Sequence, residues 1–221
     1  HILYGDNHTM KAAADKFARV SELRKKVASI LKEVDQDSES SDPAIKENAD
    51  ALRLVITTGI RPGSTKDTKA DKTAYGATTL EGRHVVGKGA NTRLVFVGKE
   101  GLDLDIPVDD PKTAAMLQNR AKAAGRNGKL FNTDAASLSA YSQSKDGGGF
   151  KTKDYRTALG TNLAAKHLKD MPSPRNMKEY KTLIKEVSTR VSRRLGNTPT
   201  MALKAYIDPQ VFSTVRAKVE A

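Results

Sequence analysis

Five polar residues occur in an order that suits chemistry on a phosphodiester. Arg61, Lys99, Arg156 and Asn197 precede Tyr206, which follows Asn197 by nine residues. Tyrosine is a weak nucleophile because its usual pKa is about 10, and neighbouring cations favour the reactive phenolate. Guanidinium groups supply that charge and bind two phosphate oxygens at once. The order predicts a tyrosine nucleophile, an arginine clamp on the phosphate and a lysine that protonates the departing oxygen.

Taken singly, each of these residues has an ordinary structural explanation. Arg61 follows an apolar helix and is placed to bind its C-terminal carbonyls, and Lys99 lies in a predicted turn, where solvated lysines are common. Arg156 fits a surface charge, Asn197 a helix-ending turn, and Tyr206 a packed ring. The order and the surrounding motifs favour the chemical interpretation.

The composition narrows the class of protein. A chain of 221 residues is long enough for one or two domains. It has no cysteine, which excludes disulfides and thiolate metal sites, and its four histidines lack metal-type spacing. No apolar run approaches the roughly 20 residues of a membrane span. The predicted chemistry demands no metal ion and no nucleotide cofactor, and we expect a cytoplasmic protein, nucleoid-associated in a bacterium or in the host cytoplasm if viral.

The net charge of +12 is unevenly distributed. The first 50 residues hold 8 Lys and Arg against 10 Asp and Glu, whereas the remaining 171 residues carry a net charge of +14. A basic body of this size favours a polyanionic partner, because neutralising phosphates releases counterions. Charge alone does not choose DNA over RNA.

Apolar periodicity and helix-capping residues predict the helices and strands that carry these five residues. An apolar stripe predicts a helix over 7–34, an acidic connector follows at 35–41, and Asp42 with Pro43 starts a second helix that ends near Thr58. Residues 83–108 change period and predict three short strands, with a hairpin turn at 98–101. Beyond residue 111 the pattern is helical, with further cap-then-proline starts at 110–111, 198–199 and 208–209. The expected fold is therefore mainly α with a small three-stranded antiparallel β-sheet, divided into an N-terminal helix and connector (1–41) and a catalytic core (42–221).

The motifs around these residues resemble those of type IB DNA topoisomerases, in particular the small bacterial and large-virus enzymes. The matching stretches cover most of the chain, from about residue 1 to 212, and are 53–63, 76–80, 83–85, 96–99, 130–131, 150–161, 195–199 and 205–209. The resemblance implies the catalytic-domain architecture that type IB topoisomerases share with tyrosine recombinases. It also implies a monomer that acts on double-stranded DNA, with no membrane association and no cofactor.

The resemblance assigns roles to matching positions. Tyr206 would attack the scissile phosphate and form a 3′-phosphotyrosyl bond, while Arg61 and Arg156 would stabilise the pentacoordinate transition state. Lys99 would act as general acid toward the 5′-oxygen, with Arg156 as a possible assistant. Asn197 stands where many relatives carry histidine, and bacterial-type members share the asparagine.

Other matching positions are implied to lie against DNA, namely Gly63, Lys66 and Lys153. The basic run Arg190, Arg193 and Arg194 is expected on a solvated or DNA-facing helical face.

Two departures from the family pattern stand out. Family members usually carry a small N-terminal β-domain that closes a clamp over the duplex, and this sequence starts almost directly at the first helix, so we expect that domain to be absent from this chain. The segment 66–72 also differs from the expected groove-reading sequence, which leaves the site preference open.

Two other functions remain open on the sequence alone. A tyrosine recombinase or integrase shares the order of Arg, Lys, Arg, His or Asn, and Tyr, but normally places its second arginine in His-x-x-Arg, where this chain has Lys153-Asp-Tyr-Arg156. A non-catalytic basic DNA-binding module would explain the charge without any chemistry at Tyr206.

Overall fold

The computed structural model describes residues 2–63 and 73–220, which form helices and one small sheet. The helices described are α1 (Ile2–Asp37), α2 (Pro43–Thr58), α3 (Pro111–Ala124), α4 (Ala135–Gln143), α5 (Thr152–Lys169), α6 (Met177–Leu195), α7 (Pro199–Met201) and α8 (Ser213–Glu220). The strands are β1 (Val85–Val86), β2 (Arg93–Val97) and β3 (Asp103–Pro107). This architecture confirms the predicted fold class. The segment 66–72, with Lys66, which was expected to lie against DNA, is outside the described residues.

A capping side chain followed by proline starts four elements. The Asp42 carboxylate accepts from the Ala44 amide at 2.8 Å at the start of α2, and Asp110 caps α3 in the same way. Thr198 caps α7. Asp208 caps a 3₁₀ turn, Pro209–Phe212, which leads into α8. These contacts confirm the predicted starts, because an accepting side chain satisfies amides that have no partner within the helix.

The sheet is antiparallel with strand order β1-β2-β3. Leu94 faces Ile106 in the register and Phe96 faces Leu104, so the buried side chains share one face. The tip of the β2–β3 hairpin is a 3₁₀ turn, Lys99–Gly101, closed by the Gly98 amide donating to the Leu102 carbonyl at 2.7 Å. The predicted hairpin is confirmed, and it projects Lys99 from a fixed end of the sheet.

Two clusters of buried apolar side chains form the interior, and α5 contributes to both. Tyr155 and Ala158 belong to the cluster shared with α1, α2 and the sheet, whereas Ala164 belongs to the cluster built by α6 and the C-terminal segment. Arg156 lies between Tyr155 and Ala158 in α5, and its side chain packs against Tyr206 of the second cluster. The helix therefore holds a charged residue where the two parts of the interior meet.

The chain leaves α7 through a π-helical turn over Ala202–Tyr206, here called the π-turn. The next residue, Ile207, is extended, with φ −118° and ψ 123°. Single π-helical turns frequently occur at functional sites. The sequence pattern did not predict this one.

In the described parts of the chain, no helix is both long and apolar enough to cross a membrane. The same residues contain no group of three or more His, Cys, Asp or Glu side chains arranged to hold a metal ion.

Candidate active site

Three of the predicted residues line one cleft. Arg61 follows the end of α2, Lys99 sits at the hairpin tip, and Arg156 lies in the first turns of α5. The hairpin wall and the end of α6 complete the lining, with Phe96, Gly98, Leu195 and Gly196 among its residues. Segments far apart in sequence thus converge on one small space that is rich in positive charge.

Arg156 is the most buried cation of the cleft, with 4% of its surface exposed. Its guanidinium donates to the Gly59 carbonyl at 2.5 Å and to the Leu195 carbonyl, which lie at the C-terminal ends of α2 and α6. The sequence alone had suggested Arg61 for such a contact with helix carbonyls. Burial lowers the pKa of Arg156 to about 10, so the group still carries its charge at neutral pH.

The charge of Arg156 has no internal counter-charge among the described residues. Its two recorded hydrogen-bond acceptors are backbone carbonyls, and its Nε has no described partner. The charge of Arg61 opposes the charged form of Arg156, whereas the Tyr206 side chain favours it. A buried cation in this situation is suited to an anionic ligand.

Tyr206 lies directly against this guanidinium. The Cζ atom of Arg156 is 4.8 Å from the centre of the Tyr206 ring, and the tyrosine is 6% exposed. Burial raises the pKa of Tyr206, but the positive charges of Arg156 and Arg61 outweigh that effect and bring its pKa below the usual 10. The lowered pKa means that Tyr206 loses its proton more readily than a free tyrosine does.

Helix α5 also fixes the backbone that carries Tyr206. A Cβ atom at Gly160 would lie 2.5 Å from the Tyr206 carbonyl oxygen, so only glycine permits this approach. Next to it, the Thr161 hydroxyl donates to the same carbonyl at 3.4 Å and accepts from the Asp208 amide at 3.1 Å. Sequence reasoning missed both residues, although a glycine inside a helix is a sign of close packing.

Two glycines, Gly63 and Gly76, pack against each other in the segment that carries Arg61. The Arg61 carbonyl accepts from the Ala77 amide at 2.8 Å, and Pro62 accepts from Thr78 at 2.8 Å. Gly63 has φ +93°, and a Cβ at Gly76 would lie 2.4 Å from the Gly63 nitrogen. Gly63, predicted to lie against DNA, therefore also has a clear structural reason to be glycine.

Asn197 follows the left-handed C-cap residue of α6, Gly196 (φ 59°). Its amide nitrogen and oxygen are both buried and have no described partner. Leaving a buried amide unpaired costs about 1–3 kcal/mol. Asn197 directly follows Gly196, which lines the cleft, so its unsatisfied amide is carried by the segment that forms one end of the cleft.

The two predicted lysines that the structure describes are exposed. Lys99 projects from the hairpin, and Lys153 lies in the first turn of α5, three residues before Arg156. Both are free to approach a large ligand from solvent.

Arg194 corrects one expectation. It was predicted on a solvated or DNA-facing face, but its side chain is 14% exposed, donates to the Thr58 carbonyl at 3.3 Å and lies 3.6 Å from Asp109. Burial lowers the pKa of Arg194, and the Asp109 charge partly opposes this. The prediction was wrong because the end of α6 packs against the end of α2. Arg190 and Arg193 do face outward.

The fold and the cleft together define a catalytic domain of the architecture shared by type IB topoisomerases and tyrosine recombinases. Residues 7–221 match the family described as eukaryotic DNA topoisomerase I, catalytic core, and the chain belongs to that family. It is also similar to the DNA topoisomerase 1B of Acanthamoeba polyphaga mimivirus, with 25% identity over 223 residues. That alignment covers 92% of this chain and 65% of the viral protein, so the chain spans just under two thirds of its relative's length. These matches confirm the resemblance predicted from the motifs.

Proposed function

We propose that this chain is a type IB topoisomerase catalytic domain that relaxes supercoiled DNA by cutting and rejoining one strand. The observation that carries the proposal is the stacking of Tyr206 on the buried Arg156, at 4.8 Å, with no described carboxylate to neutralise the arginine. A nucleophile beside an unneutralised cation is suited to attack on a phosphate. Membership of the topoisomerase I family supports the same conclusion.

In this mechanism the Tyr206 hydroxyl gives its proton to water, and its oxygen then bonds to the scissile phosphorus. The bond from phosphorus to the 5′-oxygen breaks, and Lys99 gives that oxygen a proton as general acid. A 3′-phosphotyrosyl link preserves the energy of the broken bond, and the reverse attack by the 5′-hydroxyl rejoins the strand. The steps consume no nucleotide and are assigned no metal ion.

Three side chains would stabilise the charge that develops on the nonbridging oxygens. Arg61 and Arg156 act as a guanidinium clamp, and the amide of Asn197 donates one further hydrogen bond. Arg156 is already held by two backbone carbonyls before DNA arrives, so little reorganisation is needed. Such preorganisation is usually the largest single contribution to this kind of catalysis.

The partner in this proposal is double-stranded DNA, bound by a monomer. Gly63, Lys66 and Lys153 are proposed to lie along the backbone of the duplex. The charge of +14 carried by residues 51–221 supports a phosphate-rich partner.

The decisive experiment is relaxation of a supercoiled plasmid by the purified chain in EDTA and without ATP. We expect relaxation, together with a covalent protein–DNA adduct trapped by detergent. Tyr206→Phe should abolish both, because it removes only the nucleophilic oxygen, and should leave noncovalent DNA binding within about threefold.

An undiminished adduct in Tyr206→Phe would refute the tyrosine assignment. Activity that appears only with paired, specific DNA sites would indicate a recombinase. DNA binding without any adduct in the wild-type chain would indicate a binding module.

A further inference from the structure

Lys16, a residue that no sequence motif selects, contacts the peptide bond preceding Tyr206. Lys16, on α1, donates from its Nζ to the Ala205 carbonyl oxygen. The two residues are 189 positions apart. The Ala205 carbonyl and the Tyr206 amide belong to one rigid peptide plane, so a contact that fixes this oxygen also fixes the start of the tyrosine.

The Ala205 carbonyl needs such a partner because of where the π-turn ends. The last carbonyls of a helix accept no hydrogen bond from within the helix, and the chain becomes extended at Ile207. On the other side of Tyr206, the Thr161 hydroxyl donates to the Tyr206 carbonyl. The carbonyl before the Tyr206 side chain is therefore bound by a donor on α1, and the carbonyl of Tyr206 itself by a donor on α5.

Lys16 is itself mounted on a firmly attached part of α1. One turn along the same face, Arg19 forms a bidentate pair with Asp154, with both N···O distances at 2.9 Å. Asp154 is 2% exposed and also accepts from the Lys151 amide at the start of α5. The pair fixes α1 against α5 and so sets the position from which Lys16 reaches the π-turn.

The surroundings show that Lys16 is not an ordinary surface lysine. Burial lowers the pKa of Lys16, and the charge of Lys153 lowers it further, while Tyr206 and Asp154 partly oppose this. Its ammonium also lies 4.4 Å from the centre of the Phe17 ring. Holding a cation in this half-buried place is unfavourable unless its contacts compensate.

We propose that Lys16 is a positioning residue for Tyr206, and that its bond to the Ala205 carbonyl sets the direction of attack. The inference rests on the proposed function of Tyr206 as nucleophile. It assigns to α1 a part in the chemistry, although no α1 residue lies in the cleft among those described.

The test compares Lys16→Met and Lys16→Arg with a matched control, Lys25→Met. Lys25 lies on the same helix, its side chain is 72% exposed, and its one ion pair among the described residues is with Glu22, so its removal changes the net charge equally without touching the π-turn. The readouts are the single-turnover rate of plasmid relaxation at saturating protein, and DNA affinity measured in a Tyr206→Phe background.

We expect Lys16→Met to lower the saturated rate about 10-fold to 100-fold, because a small misplacement of a reacting group costs this much. Its DNA affinity should match that of Lys25→Met, and Lys16→Arg, which keeps a cationic donor, should recover most of the rate. Lys16→Gln provides a second neutral variant if Lys16→Met folds poorly, and thermal unfolding of each variant identifies such a case.

Three results would overturn the inference. One is a normal saturated rate with weakened DNA binding, which would make Lys16 a DNA contact. The second is a loss no larger than that of Lys25→Met, and the third is a loss that arginine does not repair. A wild-type chain that neither relaxes DNA nor forms the adduct would instead refute the proposed function itself.

Discussion

Arg53 and Arg156 are both buried arginines on helices, but the chain treats their charges differently. Arg53, on α2, is 7% exposed and bonds to two carboxylates, Asp35 and Asp110. Arg120, on α3, likewise pairs with Glu47 and Asp50. Arg156 is 4% exposed, and its described partners are two backbone carbonyls.

The difference separates the supporting framework from the site. A charge taken out of water is costly unless an opposite charge lies close to it. The framework supplies its own counter-charges, which tie α2 to α1 and α3. Around Arg156 the counter-charge is missing from the described residues, and this absence marks where an anion would bind most favourably.

The most direct test of the difference between Arg156 and Arg53 is to replace Arg156. Arg156→Met should lower the single-turnover cleavage rate about 10²-fold to 10³-fold, because one preorganised donor to the transition-state oxygens is worth that much. Its unfolding free energy should fall less than that of the matched variant Arg53→Met, since relief from burying an unneutralised cation offsets the two lost hydrogen bonds. Quench-flow cleavage and denaturant unfolding measure the two effects. A variant that cleaves normally but unfolds easily would place Arg156 in the framework.

Lys99 is an exposed cation of the cleft, and replacing it tests the proposed role as general acid. Lys99→Ala should slow cleavage of ordinary DNA about 10²-fold, as expected for loss of a general acid, with no measurable change in stability. A substrate with sulfur in place of the bridging 5′-oxygen has a leaving group that needs no proton, and it should restore the rate. If sulfur brings no recovery, Lys99 is not the acid.

The smallest effect on chemistry is expected at Arg53. Arg53→Met should destabilise the fold by about 2 kcal/mol, less than for a fully buried pair, because Asp35 and Asp110 are about one third exposed. The cleavage rate of the folded protein should remain within about threefold of wild type, as for changes distant from a site. A cleavage defect as large as that of Arg156→Met would erase the distinction between framework and site.

The sequence predicted the features that depend on neighbouring residues. The cap-and-proline starts at Asp42 and Asp110 and the hairpin that bears Lys99 were predictable because turn and cap chemistry is local. The family motifs, in turn, selected Arg61, Arg156 and Tyr206, which the structure places close together.

What could not be predicted depends on contacts between distant segments. The sequence does not show that the charge of Arg53 is neutralised and that of Arg156 is not, because the carboxylates that neutralise Arg53 come from other elements. The sequence places Arg194 in a run of solvated arginines, but the contact between the ends of α6 and α2 buries it. The hydrogen bond from Lys16 to Ala205 joins residues 189 positions apart in the sequence, and no periodic pattern predicts it.

Because of the π-turn, the direction of the Tyr206 side chain depends on the number of residues in that turn. A π-helical turn holds one residue more than an α-helical turn, and each residue of an α-helix advances by about 100°. Deleting one residue from 202–205 would restore an ordinary helix and rotate the tyrosine by roughly that angle, away from Arg156. Evolution can therefore exchange the side chains of this turn much more freely than it can change the turn's length, and insertions or deletions here would mark relatives that have abandoned the chemistry.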